Sequence, residues 1–197
     1  MPFQNYALIF GIGNPGKDFE NTYHNAGIHA VARFAHSLGT NIRTMKKNFS
    51  YSKTYLGPIL AQSLVFMNES GKALQEAARI FRIPPERILV VHDDSDLLIG
   101  SFKISFDRGA AGHKGVESIV QSLKTNSFSR LRIGIRKPRN PARLREKAHE
   151  FVLKKTSKEN QALLDRTADE AFREILSSIS SGQKSSRKTV SRPPASR

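Results

Sequence analysis

The sequence predicts an α/β fold: a single-domain three-layer α/β/α sandwich around a mixed, mostly parallel twisted sheet. Short apolar runs of strand length alternate along the chain with longer stretches whose apolar residues follow helical spacing. Three of those runs end in polar clusters, "GNPG" after the first, "MNESG" after Phe66 and "HDDSD" after Val91. In an open α/β sheet the site lies outside the carboxyl ends of the strands, so these clusters should converge. The length of 197 residues, with no internal repeat, suits one domain with an ordinary hydrophobic core.

The elements follow in order. Tyr6 to Ile12 reads as a buried strand, and the spacing of Ile28, Val31, Ala32, Ala35 and Leu38 predicts a helix over 21–38, stopped by Gly39. "TYLGPILAQSLVFM" reads as strand, turn, strand. Leu74, Ala77, Ala78 and Phe81 predict a helix over 70–81 ahead of Pro84-Pro85, and "RILVVHDD" a buried strand ending in acids. "GSFKISF" alternates with period two, as an edge strand does. Helix is expected over 113–123, strand at "RLRIGIR", a basic loop over "RKPRNPARLREKAH", and a last amphipathic helix over 158–180. From Ser181 the chain is Ser, Lys, Arg and Pro without apolar periodicity. The expected division is therefore a domain over 1–180 and a disordered basic tail over 181–197.

Charge narrows the function. Thirty-two Lys and Arg against 17 Asp and Glu give a formal net charge of +15. Such an excess favours a polyanion, because each phosphate neutralised releases counterions. Nucleic acid fits better than membrane, since no segment joins the charge to a long apolar face; the plain alternative is a soluble basic protein. The chain has no Cys, so disulfides are excluded. No apolar run approaches the roughly 18 residues of a membrane span, and the first begins without a basic leader, so a cytoplasmic address is expected.

"GIGNPGKD" looks like a phosphate loop twice over. Gly11, Gly13 and Gly16 spell the dinucleotide fingerprint, and Gly11, Gly16 and Lys17 spell a nucleotide-binding loop lacking its final hydroxyl. Asp18 stands where that hydroxyl should be and would repel phosphate, and Pro15 separates the glycines from the next helix. A tight turn presenting Asn14 fits better. His24 and Asn25 then fall near a helix start, and the strand-end acid Asp93 is placed to meet His24 across the crevice.

These residues carry a resemblance. "GNPGKDFENTYHNAG", "FMNESG", "HDDSDL", "GHKG" and "FSRLRIGI" stand in the order and spacing of bacterial-type peptidyl-tRNA hydrolases, over about residues 7–180. The resemblance implies an esterase that cleaves the ester between a peptide and the terminal ribose of tRNA. It implies His24 as catalytic base, Asp93 as its support, and Asn14 and Asn68 as groups binding around the ester. Phe19 and Phe66 take positions that contact the tRNA end and the peptide. Arg132 matches a phosphate-clamping position with Lys103 beside it, while Ser105 replaces a second clamp lysine. Arg136, Lys137, Arg139, Arg143 and Arg145 fall in a tRNA-facing lid. Lys114 replaces the family's usual Asn, and unlike Asn it cannot accept a hydrogen bond from water. No cofactor and no metal are implied; the partner is peptidyl-tRNA, with a monomer and no membrane expected.

The residue types suit this chemistry. An imidazole of ordinary pKa about 6.5, a carboxylate fixing its tautomer and amide donors for an oxyanion suffice for an activated ester. No Gly-x-Ser-x-Gly elbow is present, so direct attack by water fits better than an acyl-enzyme.

Each residue also has a plain structural reading. Asn14 is a common turn residue, Asn68 a possible cap for the helix at Ser70, Asp93 and Asp94 solvated strand-end charges, and Phe66 core. His113 reads as the start of its helix and His92 as a buried strand residue, while His29, His36 and His149 have no visible partner. The competing function classes are a catalytically weak RNA-binding relative of the same fold, which Lys114 favours, and a nucleotide-binding protein.

Overall fold

The computed structural model describes residues 6–55, 57–138 and 147–186. Seven strands form one sheet in the order β2-β3-β4-β1-β5-β7-β6. They are β1 (Leu8–Gly11), β2 (Thr44–Met45), β3 (Phe49–Lys53), β4 (Ile59–Ser63), β5 (Ile88–Leu98), β6 (Phe102–Phe106) and β7 (Ser129–Arg136). The central four, β4, β1, β5 and β7, run parallel. The outer strands β2, β3 and β6 join antiparallel. The period-two segment lies at an edge, as its alternation predicts.

The helices are α1 (Ala26–Ser37), α2 (Ser70–Phe81), α3 (Lys114–Leu123), α4 (Ala148–Phe151) and α5 (Lys158–Ser186). On one face of the sheet Ala30, Phe34, Ala168 and Phe172 of α1 and α5 pack with Ile9, Leu131 and Ile133, and Phe34 stacks on Phe172 with centroids 4.1 Å apart. On the other face Leu74 and Ala77 of α2 and Val116 and Ile119 of α3 pack with Leu8, Phe10 and Val90. Two cores on opposite faces make the three layers. Strands buried on both faces need continuous apolar sequence, and "RILVV" supplies it.

Some boundaries differ from the sequence expectation. The helix at 21–38 starts only at Ala26, because two 3₁₀ turns, Lys17–Phe19 and Tyr23–Asn25, precede it. The strand paired with β4 is Phe49–Lys53 rather than "TYL", and a short β2 pairs outside it. The acids of "HDDSD" do not end their strand: β5 runs on to Leu98 with an irregularity after Asp94. The last helix runs to Ser186, past the expected end at 180, and α4 interrupts the expected basic loop. Residues 139–146 and 187–197, with the basic residues expected there, lie outside the described residues.

The glycines of the opening motif serve packing and a turn. A Cβ on Gly11 would lie 2.6 Å from the Gly27 carbonyl oxygen, and one on Gly27 would lie 2.2 Å from that of Val91. At these glycines the main chain of helix α1 approaches that of β1 and β5 directly, while Ala30, Val31 and Phe34 pack beside the contact. Gly16 has φ 98°, which a side chain resists.

Candidate functional site

The three polar clusters meet beyond the carboxyl ends of β1 and β4, beside the stretch of β5 that carries His92 to Asp96. After β1 the chain reaches Asn14, whose backbone is clipped twice by the Asn25 side chain. The Asn14 N–H donates to Asn25 Oδ1 at 2.8 Å, and Asn25 Nδ2 donates to the Asn14 carbonyl at 3.0 Å. Asn14 Oδ1 in turn accepts from the Met67 N–H at 2.8 Å. The loops after β1 and β4 are joined through this one amide, whose Nδ2 has no protein partner among the described residues. Asn14 is buried, so it is more than a surface turn residue.

His24 stands on the 3₁₀ turn before α1 and donates from Nδ1 to Asp93 Oδ1 at 2.9 Å. Its backbone N–H donates to the Val152 carbonyl at 2.8 Å, which ties the segment after α4 to the same place. His24 Nε2 has no protein partner among the described residues. Burial opposes the charged imidazolium, but the charge and hydrogen bond of Asp93 outweigh it and raise the pKa above 6.5, against a smaller opposing effect of Lys114. Asp93 is itself buried, and although burial alone would raise its pKa, His24 and His113 hold it well below the usual carboxylate range. It is an ionised group, and the solvated reading fails for it and for the buried Asp94.

His113 is the residue whose second bond sequence reasoning missed. It caps α3 as expected, accepting at Nδ1 from the Gly115 and Val116 N–H groups, and it also contacts Asp93 Oδ1 from Nε2 at 3.0 Å. His92 is buried, bonds the Asp93 carbonyl from Nδ1 at 2.6 Å and rests edge-on against the His113 ring at 4.7 Å. Burial, with the neighbouring His113, holds its pKa well below 6.5. Of the other histidines, His29 has a partner after all: its Nε2 accepts from the Asn21 N–H at 3.3 Å.

A cleft of about 410 Å³ opens over this group, lined by Asn14, His24, Asn68, Asp93, His113 and Lys114, with Val152 and Leu153 as an apolar wall. Asn68 is exposed and makes no side-chain hydrogen bond among the described residues. It does not cap α2, so the capping reading falls. Lys114 is exposed at the first residue of α3.

The remaining predicted residues, Phe19, Phe66, Arg132 and Lys103, are not among those lining the cleft. Phe19 and Phe66 meet edge to face at 6.0 Å, and Phe66 is 50% exposed, so it is not core. Arg132 and Lys103 are directly paired across β7 and β6, which puts both on one face. Arg132 donates from Nε to Asp94 Oδ2 at 2.6 Å, and Asp94 lines the cleft. Of the basic residues expected in a lid, Arg136 lies over the Phe151 ring at 4.8 Å.

His24, Asp93 and His113 offer ligand atoms within 4.8 Å of one another, the proximity a metal site needs. Their bonding points elsewhere. Because His113 Nδ1 accepts from two helix N–H groups, its proton is on Nε2, aimed at Asp93, and that nitrogen has no lone pair to give.

The chain resembles known proteins over most of its length. A family model described as peptidyl-tRNA hydrolase matches residues 8–196. A peptidyl-tRNA hydrolase from Marinobacter nauticus is 38% identical over 184 residues, 91% of each chain. Another, from Marinomonas sp., is 35% identical over 175 residues, 86% of this chain and 88% of that one. The crystal structure of peptidyl-tRNA hydrolase from Acinetobacter baumannii matches with a TM-score of 0.77 at 29% identity, covering 92% of both chains.

Proposed function

Since the chain belongs to the peptidyl-tRNA hydrolase family and hydrolyses the peptidyl-tRNA ester, we propose that His24 is the general base of that hydrolysis, acting on water. The observation that carries this is the His24–Asp93 bond of 2.9 Å at the floor of the cleft. With Nδ1–H committed to the carboxylate, Nε2 is the nitrogen that takes a proton. It takes it from water as the water oxygen attacks the ester carbonyl. The charged imidazolium is stabilised by Asp93, and it returns the proton to the ribose oxygen when the tetrahedral intermediate collapses. The products are tRNA with a free ribose hydroxyl and a peptide with a free carboxylate.

Asn14 and Asn68 bind around the ester. The Asn14 Nδ2 is a donor whose own oxygen is already in use on Met67, so its orientation is set before substrate arrives. The Phe19–Phe66 pair offers an exposed aromatic surface on which a base of the tRNA end stacks. Arg132, Lys103 and Lys114 hold phosphate. Arg132 uses Nε on Asp94, which leaves its terminal nitrogens for the RNA. The basic residues beyond α5, Arg187, Lys188, Arg192 and Arg197, add salt-dependent, non-specific affinity.

Lys114 favours a second reading, a relative of the same fold that binds RNA and hydrolyses the peptidyl ester poorly. Turnover of a peptidyl-tRNA by the purified protein separates the two, with His24→Ala as control. We expect His24→Ala to lose about 10²–10⁴-fold in kcat while binding tRNA as the parent does. Near-normal turnover by the variant would remove His24 from the reaction.

A further inference from the structure

Asp93 Oδ1 serves two imidazoles at once. His24 Nδ1 lies 2.9 Å from it and His113 Nε2 lies 3.0 Å from the same atom, while the two rings stand 5.1 Å apart. The far side of His113 is also committed: Nδ1 accepts from the N–H groups of Gly115 and Val116, at 3.2 and 3.4 Å. Those two acceptor bonds fix the tautomer, so the Nε2 proton must point at Asp93. A rigid helix end thereby holds the carboxylate that holds the base.

We infer that His113 is a positioning residue: it anchors Asp93 through the oxygen that serves His24 and moderates how tightly His24 keeps its proton. The inference rests on His24 being the working base. A neutral N–H donor on a carboxylate draws negative charge toward itself and weakens that oxygen as an acceptor for a second donor. Without His113 the carboxylate would bind the imidazolium of His24 more strongly, and it would also be free to turn. The other charged or titratable groups around the trio are His92 and Asp94 of β5, Asp96 at the cleft, Lys114 of α3 and Arg130 of β7, while Val152 and Leu153 face it with apolar side chains. Asp93 is the group bonded to both His24 and His113.

Capping and anchoring separate by substitution. His113→Asn keeps a side-chain oxygen able to cap α3 but is too short to reach Asp93; His113→Ala loses both roles. The experiment follows the His24 imidazole by NMR titration in the parent and both variants, with His24→Ala used only to assign its signal. Expected is a rise of roughly one pH unit in the His24 midpoint in both variants. The thermal midpoint should fall in His113→Ala and stay near the parent's in His113→Asn. An unchanged or lowered His24 midpoint in His113→Asn overturns the inference, and so does a rise confined to His113→Ala, which would trace to the lost cap. If the titration moves while the pH–rate profile does not follow, the role of His113 stands and the assignment of His24 as base fails.

Discussion

Asn14 Oδ1 accepts from the Met67 N–H at 2.8 Å, so the side chain proposed to bind the ester also joins the loops after β1 and β4. The two ends of this amide can be tested apart. Asn14→Asp keeps an acceptor for Met67 but replaces the Nδ2 donor with a negatively charged oxygen. We expect kcat to fall about 10²–10³-fold, as for loss of one oxyanion donor, with the thermal midpoint little changed. Activity near that of the parent would exclude Asn14 from charge stabilisation.

The raised pKa of His24 depends on the negative charge of Asp93, because burial alone would lower it. A base works only when unprotonated, so turnover should fall as pH drops through a midpoint above 6.5. In Asp93→Asn the burial remains and the charge is gone. The acid limb should therefore move to lower pH, and the plateau should fall roughly 10²–10⁴-fold, because the tautomer is no longer fixed. The pH–rate profiles of the two proteins check both, and an acid limb that stays in place would break the pairing.

Lys114 lies at the cleft and slightly disfavours protonation of His24. Lys114→Asn should stay within roughly tenfold of the parent, about 1.4 kcal/mol of barrier. Lys114→Glu should do much worse, and its added negative charge should shift the acid limb to higher pH. A phosphate contact shows as a higher KM with altered salt dependence, whereas an oxyanion contact shows as a lower kcat. We expect the KM effect, and kinetics at two salt concentrations decide it.

His92 should make the fold acid-sensitive. Its imidazole is held well below 6.5, chiefly by burial, so the unfolded chain takes up a proton near pH 6.5 that the native chain refuses. Stability should thus decline as pH falls below about 6.5, by up to about 1.4 kcal/mol per unit until the native pKa is reached. His24, with its pKa raised, is protonated in both states there and adds no slope. His29, lowered by burial, adds slope of the same sign. The difference between the parent and His92→Phe, in denaturant midpoints from pH 7 to 5, isolates His92, and parallel curves would refute it.

Much of the layered fold was legible because its signals are local. The buried run of β5 and the apolar faces of α2 and α3 repeat at the spacing of their own element. The strand pair β2–β3 was not legible: "FSYSK" is half polar, and it is held in the sheet by pairing with β4 rather than by its own composition. "HDDSD" read as the end of a strand because acids favour loops, yet β7 supplies partners that keep the chain extended through Asp94. In the site, His24 and Asp93 were brought together by the rule that strand ends converge. The second bond of His113 joins residues 20 apart through a helix cap, and no local pattern announces such a contact. The exposure of Phe66 was likewise undetermined, since an aromatic at a strand end suits the core or a ligand equally until the packing is known.

The main-chain contact between Gly27 and Val91 bears on how such a site tolerates change elsewhere. The helix that begins just after His24 is seated against the strand that carries Asp93 by a carbonyl and a Cα, with no side chain between them. The gap between base and carboxylate is thus gauged by atomic radii that substitutions in the surrounding core do not alter. The interior can be rebuilt, residue by residue, while the spacing on which proton transfer depends keeps the same mechanical stop.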